Sequence, residues 1–215
     1  LYPKGLEEAV DIQVGVAAQI GMRVTITRGS MDLSQKDGGL PPDSVVQETD
    51  EILADSERVA SRFHQSGPGA MVQIALAPCS PFSVTQSLMR QTAELASNLG
   101  VRLHSHLGET QDENDFCLAT LGMRPLDYLE DCGWLGSNTW LAHGIHFNND
   151  EIDRLGKAST AVTHCPHSNM TLASGLCPAC DLQNAGSAVG LGVDGSASND
   201  ASNAIEEVRA AMMLQ

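Results

Sequence analysis

Two kinds of apolar pattern alternate along the chain. Residues 6–20 carry apolar side chains at helical spacing, and Gly21 follows them as a helix end. Short apolar runs predict strands at residues 22–27, 72–77, 101–106, 139–142, 161–163 and 188–193. Amphipathic stretches that predict helices lie between them, at residues 43–65, 83–98, 125–131, 149–157 and 199–214 and in a segment that starts at Thr110. This alternation predicts parallel strands joined by crossover helices.

Polar residues follow each predicted strand rather than precede it. Functional groups at the carboxyl ends of strands are typical of a (β/α)8 barrel or of an open doubly wound sheet. No Gly-x-Gly-x-x-Gly or Walker pattern stands at a strand end, which disfavours the nucleotide-binding versions. We therefore predict an α/β fold, a (β/α)8 TIM-type barrel of which residues 1–215 supply about six βα units, strands three to eight.

Composition narrows the class of partner. The 215 residues carry a net charge of −15, which disfavours nucleic acid and anionic membranes and suits a small neutral substrate. The apolar runs are too short to span a membrane. Residues 1–5 contain neither a start Met nor a secretory signal, so we expect a segment of a longer chain. Six scattered cysteines predict reduced thiols and a cytoplasmic location.

The strand at 101–106 carries the first candidate chemistry. His104 and His106 lie two residues apart and share one face of the strand. Gly108 ends the strand, and Glu109 lies on the loop beyond it. Imidazole is a common zinc ligand, and a loop carboxylate is suited to moving protons for a metal-activated water. Taken alone, two satisfied histidines on a buried strand would be the simpler interpretation.

Three further strand ends change that interpretation. His143, His164 and Asp194 each follow a predicted strand, at the same end as His106. Catalytic zinc takes three or four nitrogen and oxygen ligands and leaves a position for water. A set of histidines and an aspartate on one face of a barrel indicates a metal site rather than unrelated structural residues.

The ordered motifs resemble the amidohydrolase superfamily. They are His-Leu-Gly-Glu at 106–109, His-Gly at 143–144, His-Cys-Pro-His-Ser-Asn at 164–169 and Gly-Val-Asp-Gly at 192–195. More narrowly they resemble its cytosine/guanine-deaminase branch. Residues 77–83 and the Leu-Gly-Glu-Thr run at 107–110 are similar to the 8-oxoguanine deaminases, which are often labelled hydroxyatrazine hydrolases. The resemblance extends from about residue 2 to the end of the chain.

The resemblance implies a role for each matched residue. His106 and Asp194 become metal ligands, Glu109 the proton shuttle, and His143 the group that orients the attacking water. The family's other two ligands form a His-x-His pair after strand one. Two βα units precede His104 and Glu109 follows it, so the present pair belongs to strand five. Strands one and two and the flanking small β domain are then expected outside this chain.

The implied chemistry is hydrolytic deamination of a small heterocycle, with 8-oxoguanine giving urate and ammonia as the leading substrate. The implied cofactor is one Zn²⁺ per subunit of the full-length protein, with Fe²⁺ as an alternative. Isoxanthopterin, guanine or a hydroxy-s-triazine would fit the same site. A metal-free barrel homologue acting as a binding subunit is the alternative of another class, although retention of Glu109, His143 and Asp194 argues against it. A homodimer is compatible with the sequence.

Four residues are candidates for binding the substrate. Arg28 ends the first visible strand and is suited to a purine carbonyl, but a surface loop arginine is an equal alternative. Cys79 follows a strand, where a small buried hydrophobe is the simpler role. His164 and Asn169 belong to the turn after strand seven and are expected to shape the pocket. The Cys177-Pro178-Ala179-Cys180 segment has redox or zinc-ribbon spacing, but without a second such motif we interpret it as incidental.

Overall fold

The computed structural model describes residues 3–6 and 8–215. The strands are β1 (Val24–Ser30), β2 (Val72–Pro78), β3 (Arg102–Leu107), β4 (Thr139–His143), β5 (Ala161–His164) and β6 (Val189–Leu191). The helices are α1 (Ala9–Ile20), α2 (Thr49–Phe63), α3 (Gln86–Leu99), α4 (Gln111–Leu121), α5 (Pro125–Asp131), α6 (Asn149–Ala158), α7 (Pro166–Thr171), α8 (Ala179–Ala185) and α9 (Ala204–Leu214). The helix predicted over residues 6–20 thus begins at Ala9, and Leu1, Tyr2 and Glu7 lie outside the described residues.

The strands confirm the predicted parallel arrangement. They hydrogen-bond in the order in which they occur along the chain. The pairs β1–β2, β2–β3, β4–β5 and β5–β6 are parallel. The chain divides into two compact units, Leu1–Ser105 and His106–Gln215. Within the described ranges, no helix combines the length and the apolar character needed to cross a membrane.

The first unit is built on β1, β2 and the start of β3. Ile26 pairs with Ile74 and Leu76 pairs with Leu103, which sets the register of the three strands. The β2 side chains are buried almost without alternation, as expected for a parallel strand covered on both faces. Helix α2 adds Ile52 and Val59 to this core.

The second unit contains β4, β5 and β6 with α4 to α9. Trp134, Leu141 and Leu155 are fully buried in its core. Helices α6 and α8 approach closely at Gly156, where a Cβ would overlap the backbone carbonyl of Ala185. Glycine therefore permits this contact between two helix backbones.

Gly156→Ala is expected to destabilise the protein despite the higher helix propensity of alanine. The overlap with a backbone carbonyl costs roughly 1–3 kcal/mol, more than the ~1 kcal/mol that alanine gains in a helix. Gly15 in α1 is the matched control, because a Cβ there meets nothing within 4 Å. Thermal unfolding of the full-length protein should show a lower midpoint for Gly156→Ala and an equal or higher one for Gly15→Ala. Equal behaviour of the two variants would contradict this account of the α6–α8 contact.

Candidate active site

The turn after β3 places Glu109 beside the loop that follows β4. Gly108 adopts a φ of 66°, which glycine tolerates without strain. Its carbonyl accepts the N–H groups of Ile145 and His146 at 2.7 and 2.8 Å. Because of these bonds, the residue before Glu109 is attached to the segment directly after His143.

His143 ends β4 in a strained conformation. Its φ of 72° is uncommon for a residue with a side chain, and such strain is concentrated at functional sites. The residue is 1% exposed, and its Nδ1 lies 2.9 Å from Oδ1 of Asn169. An amide oxygen only accepts hydrogen bonds, so Nδ1 carries a hydrogen. The other nitrogen, Nε2, then faces the remaining site residues.

Two carboxylates and a second imidazole surround His143. Its Nε2 lies 3.6 Å from Oε1 of Glu109 and 4.0 Å from Oδ2 of Asp194. The His106 ring stacks on the His143 ring with centroids 5.5 Å apart and an interplanar angle of 27°. The four residues come from the ends of β3, β4 and β6, so the structure brings together the side chains that the sequence placed at separate strand ends.

Asp194 is held as an ionised carboxylate. Its φ of 62° is again strained. Oδ2 accepts the Ser168 hydroxyl at 2.6 Å, and Oδ1 accepts the Gly195 N–H at 2.7 Å. Burial acts to raise the pKa of Asp194, but these hydrogen bonds and the facing His143 and His106 lower it below its ordinary value. A carboxylate that is charged at neutral pH is available as a ligand or as a proton acceptor.

The turn after β5 supplies Asn169 and His164. Besides its bond to His143, Asn169 has an amide nitrogen that is buried without a hydrogen-bond partner. Both ring nitrogens of His164 are buried and unpaired as well, and burial lowers the pKa of this imidazole, so the ring is neutral. Buried polar atoms are seldom left unpaired, and a water or ligand commonly completes them. Both residues stay predicted substrate-binding residues.

The other two predicted substrate-binding residues lie in the first unit. Arg28 is 2% exposed on β1, which rules out a surface loop arginine. Its Nε donates to Asp55 at 2.7 Å, and Nη1 donates to the Gly29 carbonyl and to Gln47. Cys79 follows β2, and its carbonyl accepts the Ser105 hydroxyl. Their assignment to substrate binding stays a prediction.

Two buried glutamates near the site were not identified from the sequence. Glu113 is 1% exposed and accepts backbone N–H groups of the loop that carries Glu109. Glu207 on α9 is also 1% exposed and accepts His167 Nδ1 at 2.8 Å and Asn199 Nδ2 at 2.7 Å. Asn199 in turn donates to the carbonyl of Val193, next to Asp194. The sequence around each glutamate does not indicate these hydrogen-bond partners, because the partners lie outside the helix that carries the glutamate.

The donor set bears on metal binding. His106 offers an imidazole nitrogen and Asp194 an ionised carboxylate, both donor types that zinc takes. Among residues 3–6 and 8–215, no group of three or more histidine, cysteine, aspartate or glutamate side chains is placed to hold a metal ion. His106 and Asp194 therefore carry the donor atoms of part of a metal site.

Comparison with known proteins places the chain among hydrolases. The model of the amidohydrolase family matches residues 6–215. The chain is 63% identical over 215 residues to 8-oxoguanine deaminase of Pseudomonas aeruginosa, which covers 100% of the chain and 48% of that protein. It is 41% identical over 206 residues to hydroxydechloroatrazine ethylaminohydrolase of Pseudomonas sp. strain ADP, covering 96% of the chain and 42% of that protein. It is 38% identical over 201 residues to an isoxanthopterin deaminase from an unknown prokaryotic organism, covering 93% and 42%.

Solved structures share the fold. Atrazine chlorohydrolase from Arthrobacter aurescens TC1 complexed with zinc has a TM-score of 0.92 at 31% identity, covering 96% of the chain and 46% of that structure. An adenosine deaminase from Xanthomonas campestris with bound zinc has a TM-score of 0.85 at 30% identity, covering 95% and 44%. These matches confirm the predicted α/β class, a (β/α)8 TIM-type barrel represented by six βα units. The chain spans about half the length of the curated relatives it matches.

Proposed function

Because the chain belongs to the amidohydrolase family, we propose that the full-length protein is a metal-dependent aminohydrolase that converts 8-oxoguanine and water into urate and ammonia. The observation that carries this proposal is the meeting of Glu109 and Asp194 at Nε2 of the buried His143. Such a set supplies a general acid, a general base and a water-orienting group within reach of one reacting carbon. The choice of 8-oxoguanine is supported by the 63% identity to a deaminase of that name.

We propose one Zn²⁺ per subunit as the cofactor, with His106 and Asp194 as two of its ligands and Fe²⁺ as the alternative ion. Two similar structures are described as containing zinc, which supports a metal of this kind. The remaining ligands, a His-x-His pair in the family resemblance, would come from elsewhere in the full-length protein. A metal ion bound here supplies Lewis-acid activation of a water molecule, lowering its pKa from 15.7 toward about 7.

Asp194 and His143 prepare the nucleophile. The ionised Asp194 carboxylate accepts one proton of the attacking water. His143, whose Nδ1–H is held by Asn169, orients that water through Nε2. The water oxygen then forms a bond to the ring carbon that carries the amino group.

Glu109 completes the proton transfers. It donates a proton to the ring nitrogen next to the amine-bearing carbon, which makes that carbon more electrophilic. The proton taken up by Asp194 passes to the amine, the carbon–nitrogen bond breaks, and ammonia leaves. Glu109 recovers a proton from the new hydroxyl as the product carbonyl forms, so both carboxylates return to their starting state.

Binding of the ring is assigned to residues at several strand ends. We propose that the unpaired polar atoms of His164 and Asn169 contact the heterocycle. Substrate binding by Arg28 and by Cys79 stays a prediction. We also propose a cytoplasmic location, which the six free cysteines support. A homodimer stays a prediction.

The test is a substrate panel with the full-length protein. Amine release is measured from 8-oxoguanine, isoxanthopterin, guanine and an amino-substituted hydroxy-s-triazine. We expect kcat/KM for 8-oxoguanine to exceed that for each other ring by at least about 10-fold, since ring-specific hydrogen bonds discriminate strongly. A higher kcat/KM for a different ring would refute 8-oxoguanine as the preferred substrate but not the aminohydrolase activity. Absence of release from every ring would favour a non-catalytic binding subunit.

A further inference from the structure

Helices α4 and α6 begin with the same side-chain pattern and use it differently. In α6, Asn148 accepts the Glu151 N–H at 3.0 Å and Glu151 accepts the Asn148 N–H at 2.8 Å, which is a complete capping box. In α4, Thr110 accepts the Glu113 N–H at 3.3 Å. The Glu113 carboxylate, however, accepts the N–H of Gly108 at 2.8 Å and that of Glu109 at 3.2 Å. The glutamate at the third helical position of α4 therefore reaches the loop of the proposed acid.

The two glutamates also differ in what balances their charge. Glu151 is buried against Arg124, whose Nε and Nη2 each donate to it at 2.7 Å. Glu113 is also buried, but its carboxylate accepts hydrogen bonds from the backbone N–H groups of Gly108 and Glu109. Burial raises the pKa of Glu113 to about 7, against the opposing effect of those amides. Burying a carboxyl group against backbone amides costs free energy of folding, and capping of α4 does not require this burial.

The peptide group between Gly108 and Glu109 is hydrogen-bonded on both sides, to Glu113 on one side and to the segment after His143 on the other. The Gly108 N–H is held by Glu113, and the Gly108 carbonyl is held by the N–H groups of Ile145 and His146. The Glu109 N–H is held by the second carboxylate oxygen of Glu113. The backbone from which the Glu109 side chain extends is thus bound both to α4 and to the segment after His143.

We propose that Glu113 is a positioning residue that holds the backbone of Glu109 so that its carboxyl group stays within reach of His143 and the bound ring. This inference rests on the proposed role of Glu109 as the proton shuttle. The Glu109 carboxylate lies 3.6 Å from His143 Nε2, and displacement of a reacting group by about 1 Å can cost roughly 10²-fold in rate. Loss of Glu113 should therefore slow the chemical step and leave ring binding largely intact.

The kinetic test is a double-mutant cycle in the full-length protein. Glu113→Gln keeps the side-chain volume but presents an amide NH2 to one of the two N–H donors, so one hydrogen bond is lost. We expect kcat to fall roughly 10–100-fold, KM to change by less than about 3-fold, and the metal content to stay constant. In a Glu109→Gln background the same change should lower kcat by less than about 3-fold, because the group it positions is already disabled.

Glu151→Gln is the matched control, since it alters the corresponding glutamate of α6. It should lower the thermal midpoint while leaving kcat unchanged in both backgrounds. A purely structural role for Glu113 would instead give the same loss of kcat with and without Glu109. That result would overturn the proposal.

Hydrogen exchange provides a measurement that does not depend on activity. The Gly108 and Glu109 amides should exchange faster in Glu113→Gln and in Glu113→Ala than in the wild type, because their acceptor is weakened or removed. Unchanged exchange at both amides would overturn the proposal. If the wild type releases no amine from any ring, the proposed function fails, whereas the exchange result still decides whether Glu113 holds this loop.

Discussion

Replacing Glu109 with glutamine should lower the turnover of the full-length protein by roughly 10²–10⁴-fold, the range typical of lost general acid–base catalysis. Glutamine keeps the size and polarity of the side chain but has no acidic proton that it can transfer to the ring. Glu109 lies beside His143 Nε2, on the loop after the strand that carries His106. It is not a proposed ligand, so the metal content should equal that of the wild type.

The measurement combines steady-state kinetics on 8-oxoguanine with metal analysis of the same preparations. Glu94→Gln on the exposed face of α3 is the control and should leave both quantities unchanged. Loss of the metal from Glu109→Gln would show that Glu109 is a ligand. Deamination at a rate near that of the wild type would show that it is not the proton shuttle.

His106→Ala should remove metal and activity together. An imidazole ligand cannot be replaced by a methyl group, and even outer-shell partners of metal ligands contribute roughly 10–100-fold to affinity or activity. We therefore expect metal affinity to fall by more than about 100-fold, with the activity falling in proportion.

His104→Ala tests whether this effect is specific to position 106. His104 lies two residues earlier on β3, is half-buried and is not among the proposed metal ligands. Its replacement should lower the thermal midpoint but leave the bound metal in place. Metal loss from His104→Ala with metal retained by His106→Ala would reverse the ligand assignment.

The elements that could be predicted are those determined by local pattern. The short apolar runs identified all six described strands, because parallel strands buried on both faces show as continuous apolar segments. The positions of His106, His143, His164 and Asp194 at strand ends followed from this alternation, since parallel strands bring their carboxyl ends to one edge. The sequence alone therefore predicted that these residues lie at strand ends.

Helix starts were predicted less well, because polar residues can cap a helix or bind elsewhere. The helix expected from Asp43 begins at Thr49, and Asp43 instead accepts the Lys36 N–H. The helix expected from residue 199 begins at Ala204, because Asn199 donates to Val193 and to Glu207. In both cases the polar side chain hydrogen-bonds to a residue six to eight positions away instead of capping the helix.

The hydrogen-bond partners of Glu113 and Asn169 could not be predicted from the sequence either. Glu113 has capping-box spacing with Thr110, and only the folded chain shows its carboxylate on Gly108 and Glu109. The pairing of Asn169 with His143 joins residues 26 positions apart. The His143–Asn169 bond depends on tertiary placement, whereas residue spacing alone does not decide whether Glu113 caps its helix or binds Gly108 and Glu109.

The proposed deamination is tested by product analysis of 8-oxoguanine turnover by the full-length protein in ¹⁸O-labelled water. We expect one ammonia and one urate for each 8-oxoguanine consumed, with a single ¹⁸O in the urate at the carbon that carried the amine. This outcome requires that water oxygen replaces the amino group, the reaction assigned to Glu109, His143 and Asp194. Unchanged 8-oxoguanine, or a product formed without release of ammonia, would show that the protein does not carry out the proposed deamination.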